Sequence, residues 1–109
     1  VTVNKRHITS LLMLKVENEE EDYGNFSKEM KKCRRLKIAT FKVEDTGKHI
    51  ANTFIEIIKK KAIELKIEEI YITILDKHKE LINFLIKEGF YYYCIKNTNE
   101  KVYIKEIRN

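Results

Sequence analysis

Leu36-Lys-Ile-Ala-Thr-Phe-Lys-Val43, then Glu44-Asp-Thr-Gly-Lys48, then the segment running on to Lys66, form the stretch around which this chain is organised. The first piece reads as apolar on both faces, which suits a central strand covered on both sides, and the second has the Asp, Thr and Gly of a tight turn. In the third, Ile50, Ala51, Phe54, Ile55, Ile58, Ala62 and Leu65 fall on one helical stripe, with Glu56, Lys59, Lys60 and Glu64 opposite. A strand that feeds a helix through a glycine-bearing turn leaves the first backbone N–H groups of that helix aimed at one spot. Those groups and the helix dipole favour an anion there, above all a phosphate or pyrophosphate.

Downstream, Ile70-Tyr-Ile-Thr-Ile-Leu75 is again strongly strand-forming. Strand, crossover helix and strand make a βαβ unit, which predicts two parallel strands joined right-handedly. Asp76 is expected to open a second helix with Leu81, Ile82, Leu85 and Ile86 on its buried stripe, and Gly89 to close it. Phe90–Ile95 and Val102–Ile107, split by Asn97-Thr-Asn-Glu100, predict a terminal antiparallel hairpin. Upstream, Val1–Arg6 reads as a frayed start and Ile8–Val16 as a buried strand antiparallel to Leu36–Val43. Between them Ser27 could cap one helical turn through Lys32, or Lys31–Arg35 could extend the next strand. The four basic residues Lys31, Lys32, Arg34 and Arg35 read as a solvated charged loop.

The chain of 109 residues fits one domain, residues 1–109, with a mixed α/β (α+β) sheet. No apolar run is long enough to span a bilayer, so no membrane partner is expected, and no signal peptide is visible. Cys33 and Cys94 have no metal-ligand spacing, which points to a reducing, cytoplasmic setting and to no metal. The net charge of +5 is scattered lysine, and without basic residues interleaved with aromatics on one strand face it does not indicate nucleic acid.

The order of these pieces, with Gly47-Lys-His-Ile-Ala51 at the helix start and Asn83-Phe-Leu-Ile-Lys-Glu-Gly-Phe90 after the isoleucine-rich strand, resembles the GNAT family of N-acetyltransferases. The resemblance covers roughly residues 36–90 and implies a central βαβ unit with a C-terminal antiparallel hairpin, truncated at its N-terminal side. It implies acetyl-CoA as co-substrate and a primary amine as acceptor. The family's pyrophosphate signature, Arg/Gln-x-x-Gly-x-Gly/Ala, falls on Thr46, Gly47, Lys48, His49, Ile50 and Ala51; Ala51 matches, while Thr46 and His49 depart from it. Backbone amides do this binding, so a side chain pointing away is tolerable. The likeness also puts the cofactor between the two parallel strands, where they splay near Phe41–Val43 and Ile72–Leu75, with His78 where many relatives carry a contacting Asn.

Acetyl transfer needs an amine freed of its proton, a polarised carbonyl and a stabilised thiolate. Glu44 and Asp45 are the nearest carboxylates to serve as base. The family's tyrosine acid corresponds to Leu85, which cannot donate a proton; Tyr71, Tyr91, Tyr92 or Tyr93 would have to replace it. The expected function is therefore an acetyl-CoA-binding N-acetyltransferase-like domain. The alternative is a catalytically inactive CoA-binding or protein-interaction module of the same fold. An open sheet edge would favour a homodimer.

Overall fold

The computed structural model describes residues 2–3, 8–43 and 48–107, with side chains at 11–42 and 50–107. Among them, one 6-stranded sheet has the order β1-β2-β3-β4-β6-β5. The elements are β1 (Thr2–Val3), β2 (Ile8–Glu17), β3 (Arg35–Val43), α1 (Lys48–Glu64), β4 (Glu69–Ile74), α2 (Lys79–Lys87), β5 (Tyr91–Ile95) and β6 (Lys101–Glu106). β3 and β4 are parallel and every other neighbouring pair is antiparallel. The last strand inserts between β4 and β5, so the terminal hairpin is docked through β6.

One face of the sheet carries the main core. Ile55, Ile58 and Ala62 of α1 and Ile82 and Leu85 of α2 pack on Leu36, Ile38, Ile70, Ile72 and Ile74. This follows the two periodicities in the sequence, 3.6 on the helices and 2 on the strands. β3 breaks the alternation once. Met13 pairs with Thr40 and Leu14 with Ile38, so Ala39 is an extra residue in β3. That bulge returns Phe41 to the helix-covered face with Leu36 and Ile38, and bulges bend the strands that hold them. The expectation of a strand apolar on both faces is corrected accordingly, since Arg35 and Lys37 alternate onto the other face.

That second face is covered by the connection between β2 and β3. Tyr23, Phe26 and Met30 pack on Tyr71, Cys94, Val102 and Ile104. The connection then meets the outer edge of the hairpin: Phe26 bridges Lys96, the Ser27 N–H donates to the Ile95 carbonyl at 2.8 Å, and the Ile95 N–H donates to Ser27 Oγ at 3.0 Å. Ser27 thus caps no helix, and no helical turn forms there; its hydroxyl is used on the strand edge instead. The β5 edge of the sheet is thereby in part covered.

The basic segment is not merely solvated. Arg35 is 1% exposed, its Nε donating to Glu69 Oε1 at 2.9 Å and its Nη2 to the Lys31 carbonyl at 2.6 Å. Its guanidinium lies 5.0 Å from the centre of the Tyr23 ring. Beside it, buried Glu17 accepts hydrogen bonds from the Tyr23 and Tyr71 hydroxyls. Burial and the Glu17 carboxylate together push both phenols well above the usual tyrosine range.

Several elements begin or end away from where the periodicity places them. Thr2–Val3 pair with β2, so the start is not wholly frayed. α1 stops at Glu64, and Lys66 takes a left-handed φ of 56°. α2 begins at Lys79 with His78 as N-cap, while Asp76 is held by Lys79 and Lys101, each at 2.7 Å. Ile86 is exposed, and Phe84 packs on the core in its place.

Candidate functional site

The parallel ladder between β3 and β4 is short. It pairs Arg35 with Glu69, Leu36 with Ile70 and Lys37 with Tyr71, and stops there. Both strands run on, to Val43 and to Ile74, so they part just where the Ala39 bulge bends β3. Across the gap the facing backbone groups from Ile38 to Phe41 and from Ile72 to Ile74 make no ladder with each other. Such groups are competent to hydrogen-bond an extended ligand as an added strand.

The gap holds a groove of about 210 Å³. Ile38, Phe41, Ile72, Ile74 and Leu81 form its wall on the helix-covered side. Ala39, Thr73, Leu75, His78 and Glu100 complete it. Phe41 is fixed by edge-to-face contact with Phe54 at 5.5 Å and by Phe84 at 6.2 Å, which makes that wall apolar and rigid. The sequence therefore built the groove from a bulge, a shortened ladder and an aromatic cluster.

Of the residues expected at the site, Phe41 and His78 both line this groove. Val43 ends β3, and Lys48 and His49 open α1, but their side chains lie outside the described residues, as do Glu44, Asp45, Thr46 and Gly47 altogether. Ile50 is half-buried, and Ala51 is buried in the first turn of α1. That turn contains no acidic residue, so nothing on the helix offsets the favourable field for an anion at its start. His78 is exposed at the N-cap of α2 and its side chain caps no backbone N–H.

Tyrosine is missing from the groove wall among the described residues. Tyr71 is buried on the second face against Glu17, Tyr92 packs on Tyr103, and the Tyr93 hydroxyl donates to the Glu29 carbonyl. Tyr91 hydrogen-bonds Glu106. Leu85 is fully buried under the helices. Sequence reasoning placed Thr73 within the Ile72–Leu75 side of the cleft but missed Glu100, whose approach to Thr73 depends on β6 lying beside β4. No group of three or more metal-ligating side chains gathers among the described residues. A larger concavity of about 550 Å³, lined by mixed charges from Glu19 to Lys32, lies over the β2–β3 connection. It sits at the other end of the sheet strands, beside Tyr23 and the start of β3.

No family model matches the chain, and no curated protein matches it. Among solved structures it is similar to a chain of the NatC complex, solved bound to Gag peptide and CoA, with a TM-score of 0.69 and 16% identity. The likeness covers 92% of this chain but 62% of that one, so this chain spans less than two thirds of its neighbour's length. At that identity the comparison establishes the fold. It is a mixed α/β, GNAT-like fold, with the parting strands and crossover helix as its centre.

Proposed function

We propose that this domain binds acetyl-CoA and transfers its acetyl group to a primary amine. The observation that carries the reading is the parting of β3 and β4 beyond Lys37 and Tyr71 into a groove whose strand β3 is the element before α1. In this reading the pyrophosphate sits on the backbone amides of Gly47–Ala51 with Thr46, Lys48, His49 and Ile50 around it. The pantetheine arm hydrogen-bonds β3 as an added strand, and the thioester lies beside Phe41 and Val43. His78 flanks the arm from α2. Glu44 and Asp45 follow β3 and are available as bases in the same stretch of chain.

A second reading is favoured by two features: Leu85 is buried in the core, and the groove wall has no phenol among the described residues. The domain would then bind CoA without turnover, as a sensor or an interaction module. Calorimetric titration with acetyl-CoA tests both readings, and absence of heat at millimolar cofactor sinks them together. Gly47→Val is expected to weaken binding at least tenfold by pushing a branched side chain against the pyrophosphate. Unchanged affinity moves the site elsewhere. Release of free CoA that depends on added amine separates transfer from mere binding.

A further inference from the structure

The groove between β3 and β4 is lined by residues that belong to both faces of the sheet. Ile38, Phe41, Ile72 and Ile74 belong to the helix-covered core, whereas Ala39 and Thr73 alternate to the opposite side. On that opposite side the wall turns polar, and its one carboxylate among the described residues is Glu100, at the start of β6. The hairpin turn sets its position: the Lys96 N–H donates to the Glu100 carbonyl at 2.8 Å, and Asn99 adopts a left-handed φ of 67°.

The two carboxylate oxygens of Glu100 are differently committed. Oε1 accepts a hydrogen bond from Thr98 Oγ1 at 2.8 Å and lies 3.9 Å from Lys96 Nζ. Among the described residues, the hydrogen bond to Oε2 comes from the Thr73 hydroxyl, at 3.5 Å, the long limit of a hydrogen bond. A half-buried carboxylate oxygen held by one long contact gains by exchanging it for a charged donor. A primary ammonium supplies that donor, and Thr73 Oγ1 beside it is a second acceptor.

We propose that Glu100 receives the acceptor amine, binding its ammonium through Oε2 beside Thr73 and then taking one of its protons. This rests on the reading of the groove as an acetyl-transfer site and gives the base's role to Glu100 in place of Glu44 or Asp45. Proton transfer to Glu100 leaves a neutral amine with its lone pair free. That lone pair forms the C–N bond to the thioester carbonyl carbon, and collapse of the tetrahedral adduct breaks the C–S bond. The remaining surplus N–H proton goes to the departing thiolate, giving the amide and free CoA. Glu100 returns its own proton to solvent at the open side of the groove. The apolar wall faces the thioester and the polar wall faces the amine, so the two substrates meet from opposite faces of the sheet.

The test uses Glu100→Gln, which keeps an oxygen for Thr98, removes the charge and puts an amide NH2 where Oε2 accepts. Binding is read first by NMR, titrating the whole chain with Gly-Ala-Lys amide and with its fully acetylated counterpart, without cofactor. The free-amine peptide is expected to shift the Thr73 and Glu100 amide signals saturably in the wild-type protein and not in the variant, while the acetylated peptide shifts neither. Equal shifts in both proteins, or none in the wild type, overturn the proposal even where acetyl-CoA binds well. Kinetically, Glu100→Gln is expected to lower amine-dependent CoA release by about 100-fold or more with calorimetric acetyl-CoA affinity unchanged. A variant keeping half the rate, or losing cofactor affinity instead, overturns it. Amine binding without CoA release by the wild type overturns the proton-acceptor role and the transfer reading together.

Discussion

Tyr71 and Tyr23 hold Glu17 in the second-face core, where a carboxylate without donors would be costly. Tyr71→Phe keeps the ring and removes one of the two phenolic donors, so it is expected to cost about 1.5–3 kcal/mol, read from urea unfolding. The same pair sets an alkaline limit. Burial, then the hydrogen bond to Glu17, raises both phenols in the folded protein, so the folded state keeps protons that the unfolded chain releases near pH 10. Stability is therefore fully present below about pH 10 and declines as pH rises above it. Urea midpoints at pH 8 and pH 11 should differ less in Tyr71→Phe than in the wild type. A parallel loss in both proteins would assign the decline to other groups. Arg35 and Glu69 form the matching ion pair, and the bland reading of Arg35 as a loop charge failed because charge alone does not reveal which side chain finds a buried partner.

Both helices end in the same way, with different residues. At α2, the Phe90 N–H donates to the Leu85 carbonyl and the Gly89 N–H to the Ile86 carbonyl, with Gly89 at a φ of 96°. At α1, Ile67 reaches back to Ala62 and Lys66 to Ile63, but the left-handed position is held by Lys66. These are Schellman closures, for which glycine is the unstrained residue. Lys66→Gly is expected to stabilise the domain by about 1 kcal/mol, and Gly89→Ala to destabilise it by about 1 kcal/mol or more. A Cβ at Gly89 would also lie 2.6 Å from Lys105 Nζ, which now donates to the Glu88 carbonyl. Thermal melts of the two variants should move in opposite directions. A fall for Lys66→Gly would mean that its side chain contributes more than its backbone strain costs.

The whole molecule is one sheet with two dissimilar faces, a helical layer on one and the β2–β3 connection strapped across part of the other. A ligand seated between β3 and β4 bridges strands from both halves of that sheet, so its binding should be felt globally. Acetyl-CoA at about 100 times its Kd is expected to add about 2.7 kcal/mol and raise Tm by roughly 10 °C. A Tm that does not move with cofactor concentration would count against a site in the folded groove.

The sequence by itself determined the elements and the order in which they follow. The stripe of α1, the isoleucine run of β4, Gly89 and the Asn97–Glu100 turn are local signals, carried by periodicity and backbone preference within a few residues. Phe41 and His78 were legible as groove residues because their places follow from the βαβ resemblance. Only the tertiary structure decided that β6 inserts beside β4, that Ala39 bulges, that Arg35 is buried, and that Thr73 and Glu100 meet across 27 positions of chain. Those outcomes depend on which distant strands pair and where a ladder stops, energies shared among many residues and written in no single one of them. Local periodicity thus set the strand and the helix that follow one another beside the groove, and the packing around them decided which side chains line it.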